Sequence, residues 1–241
     1  MSTLYLVRHG QASFGQADYD RLSELGQRQS RALGEYWAKW RVKIDAAIAG
    51  ALERQKASAS FVRTAYEDAG LPFPELQEMA EWNEYDTAAI LTGSIPDLIA
   101  KHPDILELAK KLSPDGKPDL RGNKEDFQRM FARIMDLWVK GELNVQGLES
   151  WRDFTARVNR GLSSVMARHD SGKTVAVFTS GGPISAAVQR ALQSPDKIAL
   201  DLGWSISNSS ITEFRYSGDK FSLAGFNGTP HLNDPSLISY R

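Results

Sequence analysis

The sequence predicts an α/β fold, a three-layer α/β/α sandwich on a mostly parallel sheet. Three observations carry that expectation. The runs Leu4–Val7 and Thr174–Thr179 are apolar and β-prone without alternation, as strands covered on both faces are. Each stops abruptly, at Arg8-His9-Gly10 and at Ser180-Gly181-Gly182. Amphipathic helical patterns lie between and after them, and strands interleaved with such helices place helices on both faces of a sheet.

The elements follow in chain order. After the first strand, a helical pattern starts at Ser23. Leu25, Ala32, Leu33, Tyr36, Trp37 and Trp40 recur three to four apart, and Ser23 is available as the N-cap. Ile44 to Ala51 is a second short apolar stretch, leading to Arg54 on an Ala- and Ser-rich segment that favours helix. Residues 71–100 hold Pro72, Pro74, Gly93 and Pro96 and read as broken structure with short elements. Residues 113–124 are turn formers throughout and predict an exposed loop. Phe127, Phe131, Ile134 and Trp138 then mark one helix, and Trp151, Phe154, Val158, Leu162 and Val165 another, with Gly141 and Gly147 between them. The strand Thr174–Thr179 leads into a helix from Ile184 to Leu192, for which Pro183 is acceptable in the first turn. Residues 210–216 and 220–226 predict a closing pair of strands around Ser217-Gly218-Asp219.

Length and composition bound the rest. The 241 residues suit one domain, 1–241, carrying a helical insertion at about 85–147. With 41% hydrophobic and 24% charged residues the chain can bury a core. Twenty-nine basic residues against thirty acidic ones give a net charge of −1, which predicts no nucleic-acid or acidic-membrane partner. The absence of cysteine removes disulfides, thiolate zinc sites and cysteine nucleophiles, and fits a reducing compartment. No apolar run approaches a bilayer span, and Met1-Ser2-Thr3-Leu4 lacks the features of a signal peptide, so a cytoplasmic chain is expected.

Ligands of open α/β sheets sit beyond the carboxyl ends of the strands. If the two apolar strands are parallel and adjacent, Arg8-His9-Gly10 and Ser180-Gly181-Gly182 share one crevice. A guanidinium is a planar fork suited to phosphate or carboxylate oxygens, and a neighbouring imidazole is largely neutral and nucleophilic at pH 7. Gly10 would let the backbone approach a ligand closely, and Gly181-Gly182 would offer helix-start N–H groups to an anion. These residues describe an oxyanion pocket containing a nucleophile.

Several blocks resemble the histidine phosphatase (phosphoglycerate mutase-like) superfamily. Leu4-Tyr5-Leu6-Val7-Arg8-His9-Gly10-Gln11 is similar to its opening strand and Arg-His-Gly signature. Leu22-Ser23-Glu24-Leu25-Gly26, with Gln29, resembles its first helix start. Ala51-Leu52-Glu53-Arg54 with Ser58-Ala59 resembles the segment bearing a second phosphate-binding arginine, and Glu149-Ser150-Trp151-Arg152-Asp153 with Arg157 resembles a later helix. The order and spacing of these blocks are more specific than any one of them.

The resemblance implies a phosphoglycerate mutase-like fold and a cofactor-independent, metal-independent phosphatase acting on small phosphorylated metabolites through a phosphohistidine. His9 would be the nucleophile, and Arg8, Arg54, Ser180 and Gly181 would hold phosphoryl oxygens, the positioning and charge that phosphoryl transfer requires. The proton donor would be a glutamate before the insertion, with Glu78, Glu81 and Glu84 as candidates. Trp82-Asn83-Glu84-Tyr85 is the closest match, so Glu84 is expected, although Leu76-Gln77-Glu78 fits the usual offset from Arg54 better. The chain departs from the pattern at one position: Ser180 stands where the superfamily places a second histidine. Losing one preorganised donor costs on the order of 3 kcal/mol, roughly a hundredfold in rate. The alternatives are a mutase-type phosphotransferase, against which the missing second histidine argues, and a weakly active or inactive pseudophosphatase that binds phosphate compounds, which Ser180 favours. The inserted segment, with Phe127 and Trp138, would cap the site and select the substrate. His102, His169 and His231 are expected to be structural or solvated. Gly172-Lys173-Thr174 precedes a strand, so it reads as a turn rather than a P-loop.

Overall fold

In the computed structural model, which describes residues 1–13, 20–91, 98, 101–105, 107, 124–143, 147–170 and 172–240, six strands form one mixed sheet in the order β3-β2-β4-β1-β5-β6. They are β1 (Ser2–Arg8), β2 (Ala46–Ala49), β3 (Leu76–Glu78), β4 (Thr174–Thr179), β5 (Ile211–Ser217) and β6 (Lys220–Gly228). The first four run parallel, and β5 and β6 close one edge antiparallel. The main helices are α1 (Glu24–Lys39), α2 (Glu53–Asp68), α3 (Lys124–Val139), α4 (Trp151–Arg168), α5 (Gly181–Leu192) and α6 (Asp196–Ser205). The chain divides into two compact units, Met1–Glu84 with Ala156–Arg241, and Tyr85–Thr155.

The first unit holds the whole sheet. Alternate residues of a strand point to opposite faces. On one face Val7, Ala49, Ala176 and Phe178 pack with Leu33, Trp37 and Ala38 of α1 and Ala59, Val62 and Tyr66 of α2. Leu6, Ile48, Val175 and Val177 alternate with them and are equally buried, and α5 packs against β1 and β6. Coverage of both faces explains why β1 and β4 lack a period-two pattern. Their register pairs Arg8 with Thr179, so the ends of these two central strands lie side by side.

Three details differ from the sequence expectation. Trp40, read as part of the apolar stripe of α1, follows the last helical residue and is 67% exposed. Arg41, at φ 51°, turns the chain away before that stripe can continue. The helix after β4 begins already at Gly181, because Gly-Gly-Pro forms its first turn. Helix α6 left little trace in the pattern, since only Ala199 and Leu200 of it are buried.

In the second unit the apolar spacing of the sequence becomes an aromatic cluster. Tyr85 lies 4.8 Å from Trp138 and 5.3 Å from Phe154, and Trp138 lies 5.4 Å from Trp151. The last two of these pairs are edge-to-face, an arrangement that adds to what burial alone contributes. Trp138 donates from Nε1 to the Glu149 carbonyl at 2.9 Å and is buried inside this cluster rather than presented at a surface. The side chain of Phe127 lies outside the described residues, as does the expected loop apart from Lys124, which opens α3. Among the described residues no helix is long and apolar enough to cross a membrane.

Candidate active site

His9 lies just past the end of β1, where its N–H donates to the Thr179 carbonyl at 2.8 Å. Its ring is almost fully buried and makes two bonds of opposite sense. Nδ1 lies 2.7 Å from the Gly10 carbonyl oxygen. A carbonyl can only accept, so Nδ1 carries the proton. Nε2 then keeps its lone pair and accepts from Arg54 Nε at 3.1 Å. Burial first, then the positive charges of Arg54 and Arg8, hold the imidazole well below its ordinary pKa range. The result is a neutral imidazole with a nucleophilic nitrogen turned towards a guanidinium.

Arg54 is the second residue of α2 and is itself held in place. Its Nη1 pairs with Asp20 Oδ1 at 2.7 Å, while Asp20 Oδ2 accepts from the backbone N–H of Glu53 at 2.8 Å. The α2 N-cap, Leu52, offers no side-chain acceptor, so Asp20 caps the helix from a distant segment. One carboxylate therefore fixes both the helix start and the arginine that it carries.

Gly10 has a different role from the one the sequence suggested. A Cβ there would stand 2.2 Å from the Gly26 carbonyl oxygen, and one on Gly26 would stand 2.1 Å from that of Gln11. Here two stretches of backbone approach each other closely. Gly10 also donates to Ser58 Oγ at 3.0 Å, and Ser58 donates to the Arg54 carbonyl at 2.7 Å, tying the loop after β1 to α2.

At the end of β4, Ser180 is fully buried and its Oγ accepts from Gln55 Nε2 at 2.9 Å. Gly181 opens α5, and a Cβ on it would come within 4.0 Å of Arg8 Nε. Arg8 donates through Nη1 to the carbonyls of Ile206 and of Tyr240, the latter at 3.0 Å. Gly182 does not leave its N–H open to an external anion, because it donates to Glu84 Oε2 at 3.0 Å. The first turn of α5 thus holds the Glu84 side chain.

The three glutamates are placed differently. Glu78 is mostly exposed and pairs loosely with Lys56 at 3.6 Å. Glu81 lies against α4, where a Cβ on Gly161 would stand 2.9 Å from its own. Glu84 alone of the three is bonded to the strand-end cluster. The turn carrying it is clamped by Arg157, whose Nη1 donates to the carbonyls of Ala80, Glu81 and Asn83 at 3.0, 3.0 and 3.1 Å. Asn83 in turn accepts from Ala51 N–H at 2.6 Å.

The histidine phosphatase superfamily (branch 1) family model matches residues 4–141 and 85–229. The chain belongs to this superfamily. Its fold is also found in Bacillus stearothermophilus YhfR, at 21% identity and TM-score 0.66 over 97% of this chain and 100% of that one. A Bacillus anthracis phosphoglycerate mutase matches at 18% identity and TM-score 0.62, over 96% of this chain and 95% of its own. Mycobacterial glucosyl-3-phosphoglycerate phosphatase complexed with VO3 matches at 21% identity and TM-score 0.63, over 94% and 99%. No curated protein sequence is similar enough to be matched with this chain.

Within this histidine phosphatase-type fold, the structure adds two residues that sequence reasoning missed, Asp20 and Gln55. Asp20 sits three residues before Ser23 in a segment with no periodic signal, and only the helix start that it reaches reveals it. Gln55 follows Arg54 directly and reads as one more polar helical residue. Two of the remaining histidines have partners of their own. His231 is buried, bonded to Ser209 Oγ at 3.1 Å, and pushed down to about 4 by burial. The carbonyl of His169 accepts from the Tyr216 hydroxyl at 2.6 Å.

Proposed function

We propose that the chain is a phosphatase hydrolysing small phosphomonoesters, with His9 as nucleophile and Glu84 as proton donor. The observation that supports this best is the single tautomer of His9, whose protonated Nδ1 is held by Gly10 and whose Nε2 lone pair is left for phosphorus. Substrate binding exchanges the Arg54–Nε2 bond for bonds from Arg54 to phosphoryl oxygens. Nε2 then attacks phosphorus, the ester P–O bond breaks, and the Glu84 carboxyl passes its proton to the leaving oxygen. Water next attacks the phosphohistidine, giving a proton to the Glu84 carboxylate, and the N–P bond breaks to release phosphate and regenerate His9. Arg8, Arg54, Ser180 and Gly181 hold the three equatorial oxygens, where charge accumulates in the transition state. In this proposal the inserted segment, about 85–147, selects what the phosphoryl group is attached to.

Hydrolysis of a panel of phosphomonoesters, with His9→Ala as control, tests the reading. Turnover by the wild type that disappears in the variant is expected, with acid-labile, base-stable phosphate trapped on the wild type alone. Equal rates for the two proteins would remove His9 from the chemistry. Efficient phosphoryl transfer to a second hydroxyl compound in place of water would move the chain to the phosphotransferase class.

A further inference from the structure

We propose that Gln55 is a positioning residue that makes the Ser180 hydroxyl a hydrogen-bond donor towards the phosphoryl group. This rests on the function proposed above, since it concerns the same phosphoryl site. The first turn of α2 sends two neighbouring side chains to the ends of the two central strands. Arg54 reaches the end of β1, at His9, and Gln55 reaches the end of β4, at Ser180.

The orientation of the Gln55 amide is fixed by its surroundings. Gln55 is fully buried, and its Nε2 donates to the Trp82 carbonyl at 3.1 Å as well as to Ser180 Oγ at 2.9 Å. Because a carbonyl only accepts, the amide nitrogen and not the oxygen must face Trp82. That arrangement uses both N–H groups. Gln55 Oε1 is directed elsewhere, against Gly50, where a Cβ would stand 2.0 Å from it, and it has no hydrogen-bond partner among the described residues. An unsatisfied buried acceptor is unfavourable, so the bonds made by Nε2 must hold the amide in this pose.

The consequence falls on Ser180. Its oxygen accepts a hydrogen bond from Gln55, so its own hydrogen cannot point at the amide nitrogen and is left for another acceptor. A serine hydroxyl alone rotates and can accept or donate. With Gln55 on one side it becomes a donor of fixed sense, next to the helix start at Gly181 that approaches Arg8. A preorganised donor of this kind contributes only if its sense is set before charge develops. The same amide also grips the Trp82 carbonyl, which Thr179 Oγ1 shares at 2.6 Å, so Ser180 and the turn leading to Glu84 are held by one side chain.

A double-mutant cycle tests this, using Gln55→Met, Ser180→Ala and both together. Ser180→Ala and Gln55→Met are each expected to lower kcat by about tenfold to a hundredfold, with KM changed much less. The double variant is expected to lose much less than the product of the two single losses, because Gln55 acts on the phosphoryl group through Ser180. Gln55→Glu nearly keeps the shape but gives the hydroxyl an acceptor, and it is expected to match Ser180→Ala in effect. It stands in if Gln55→Met does not fold. Inorganic phosphate binding, measured on the same variants by calorimetry, reads the same non-additivity without turnover. Additive losses, or Gln55→Met with wild-type kcat and wild-type phosphate affinity, would overturn the inference. Wild-type protein that turns over no phosphomonoester but shows the non-additivity in phosphate binding would instead count against the function and leave the Gln55–Ser180 coupling standing.

Discussion

The ends of β1 and β4 are neighbours in the sheet and are built in opposite ways. At β1 the partners are charged: His9 faces Arg54, and Arg54 faces Asp20. At β4 they are a hydroxyl, an amide and backbone N–H groups, with Glu84 drawn in by the helix start at Gly182. The first arrangement holds an imidazole neutral and aims its lone pair, as a nucleophile requires. The second supplies neutral, fixed dipoles and one carboxyl group, which suits oxygens that gain charge and then a proton. In the proposed reaction, bond formation belongs to the β1 side and proton delivery to the β4 side.

The comparison can be broken most severely at β1. His9→Ala removes the nucleophile, and phosphatase activity should fall by roughly 10⁴-fold or more, as when a covalent catalyst loses its attacking atom. Residual turnover near the wild-type rate would show that the two strand ends do not divide the chemistry in this way. Arg54→Lys keeps the charge but loses the planar fork, and a fall in kcat/KM of about 10²- to 10³-fold is expected. A lysine that serves equally well would mean that charge alone matters at that position.

On the β4 side, Glu84→Gln should cost about 10²-fold on alkyl phosphates and much less on an aryl phosphate whose leaving group needs no proton. Equal losses on both would take Glu84 out of proton delivery, and Glu78→Gln and Glu81→Gln are expected to change neither rate. Asp20→Asn is the gentler probe. It weakens the hold on Arg54 while keeping an acceptor for the α2 cap, so a loss of about tenfold in kcat/KM with little change in melting temperature is expected. The reverse pattern, with stability lost and activity kept, would reduce Asp20 to a helix cap.

Acid stability sharpens the contrast between buried imidazoles and the rest of the chain. In the unfolded chain each imidazole binds a proton below about pH 6.5, whereas His231 in the folded chain binds one only near 4. Between those values the unfolded state holds more protons, so stability falls as pH drops from about 6.5 towards 4. His9 is depressed too and adds to the same slope. Melting temperature followed over that window should decline less steeply in His231→Phe than in the wild type, and an unchanged slope would contradict the burial argument. Because His9 stays neutral well below its ordinary range, kcat/KM should show no acid limb near pH 6.5.

How much of this was legible in the chain depends on the range over which each feature is decided. The apolar runs ending at Val7 and Thr179 marked the two central strands, and the residues after them marked the strand ends that lie side by side, because a strand buried on both faces leaves its pattern in a few consecutive residues. Helices α1, α3 and α4 were likewise visible as apolar spacing, and α6 was not, since it buries so little. What the sequence by itself determined was therefore the type of each strongly patterned element and the identity of His9, Arg8, Arg54 and Ser180 as residues at strand ends or helix starts. Only the tertiary structure decided that Asp20 holds Arg54, that Gln55 holds Ser180, that Glu84 rather than Glu78 or Glu81 reaches the cluster, and that Gly10 packs against Gly26. Those contacts join segments far apart in the chain, and strand order and register, not local pattern, determine which distant side chains meet.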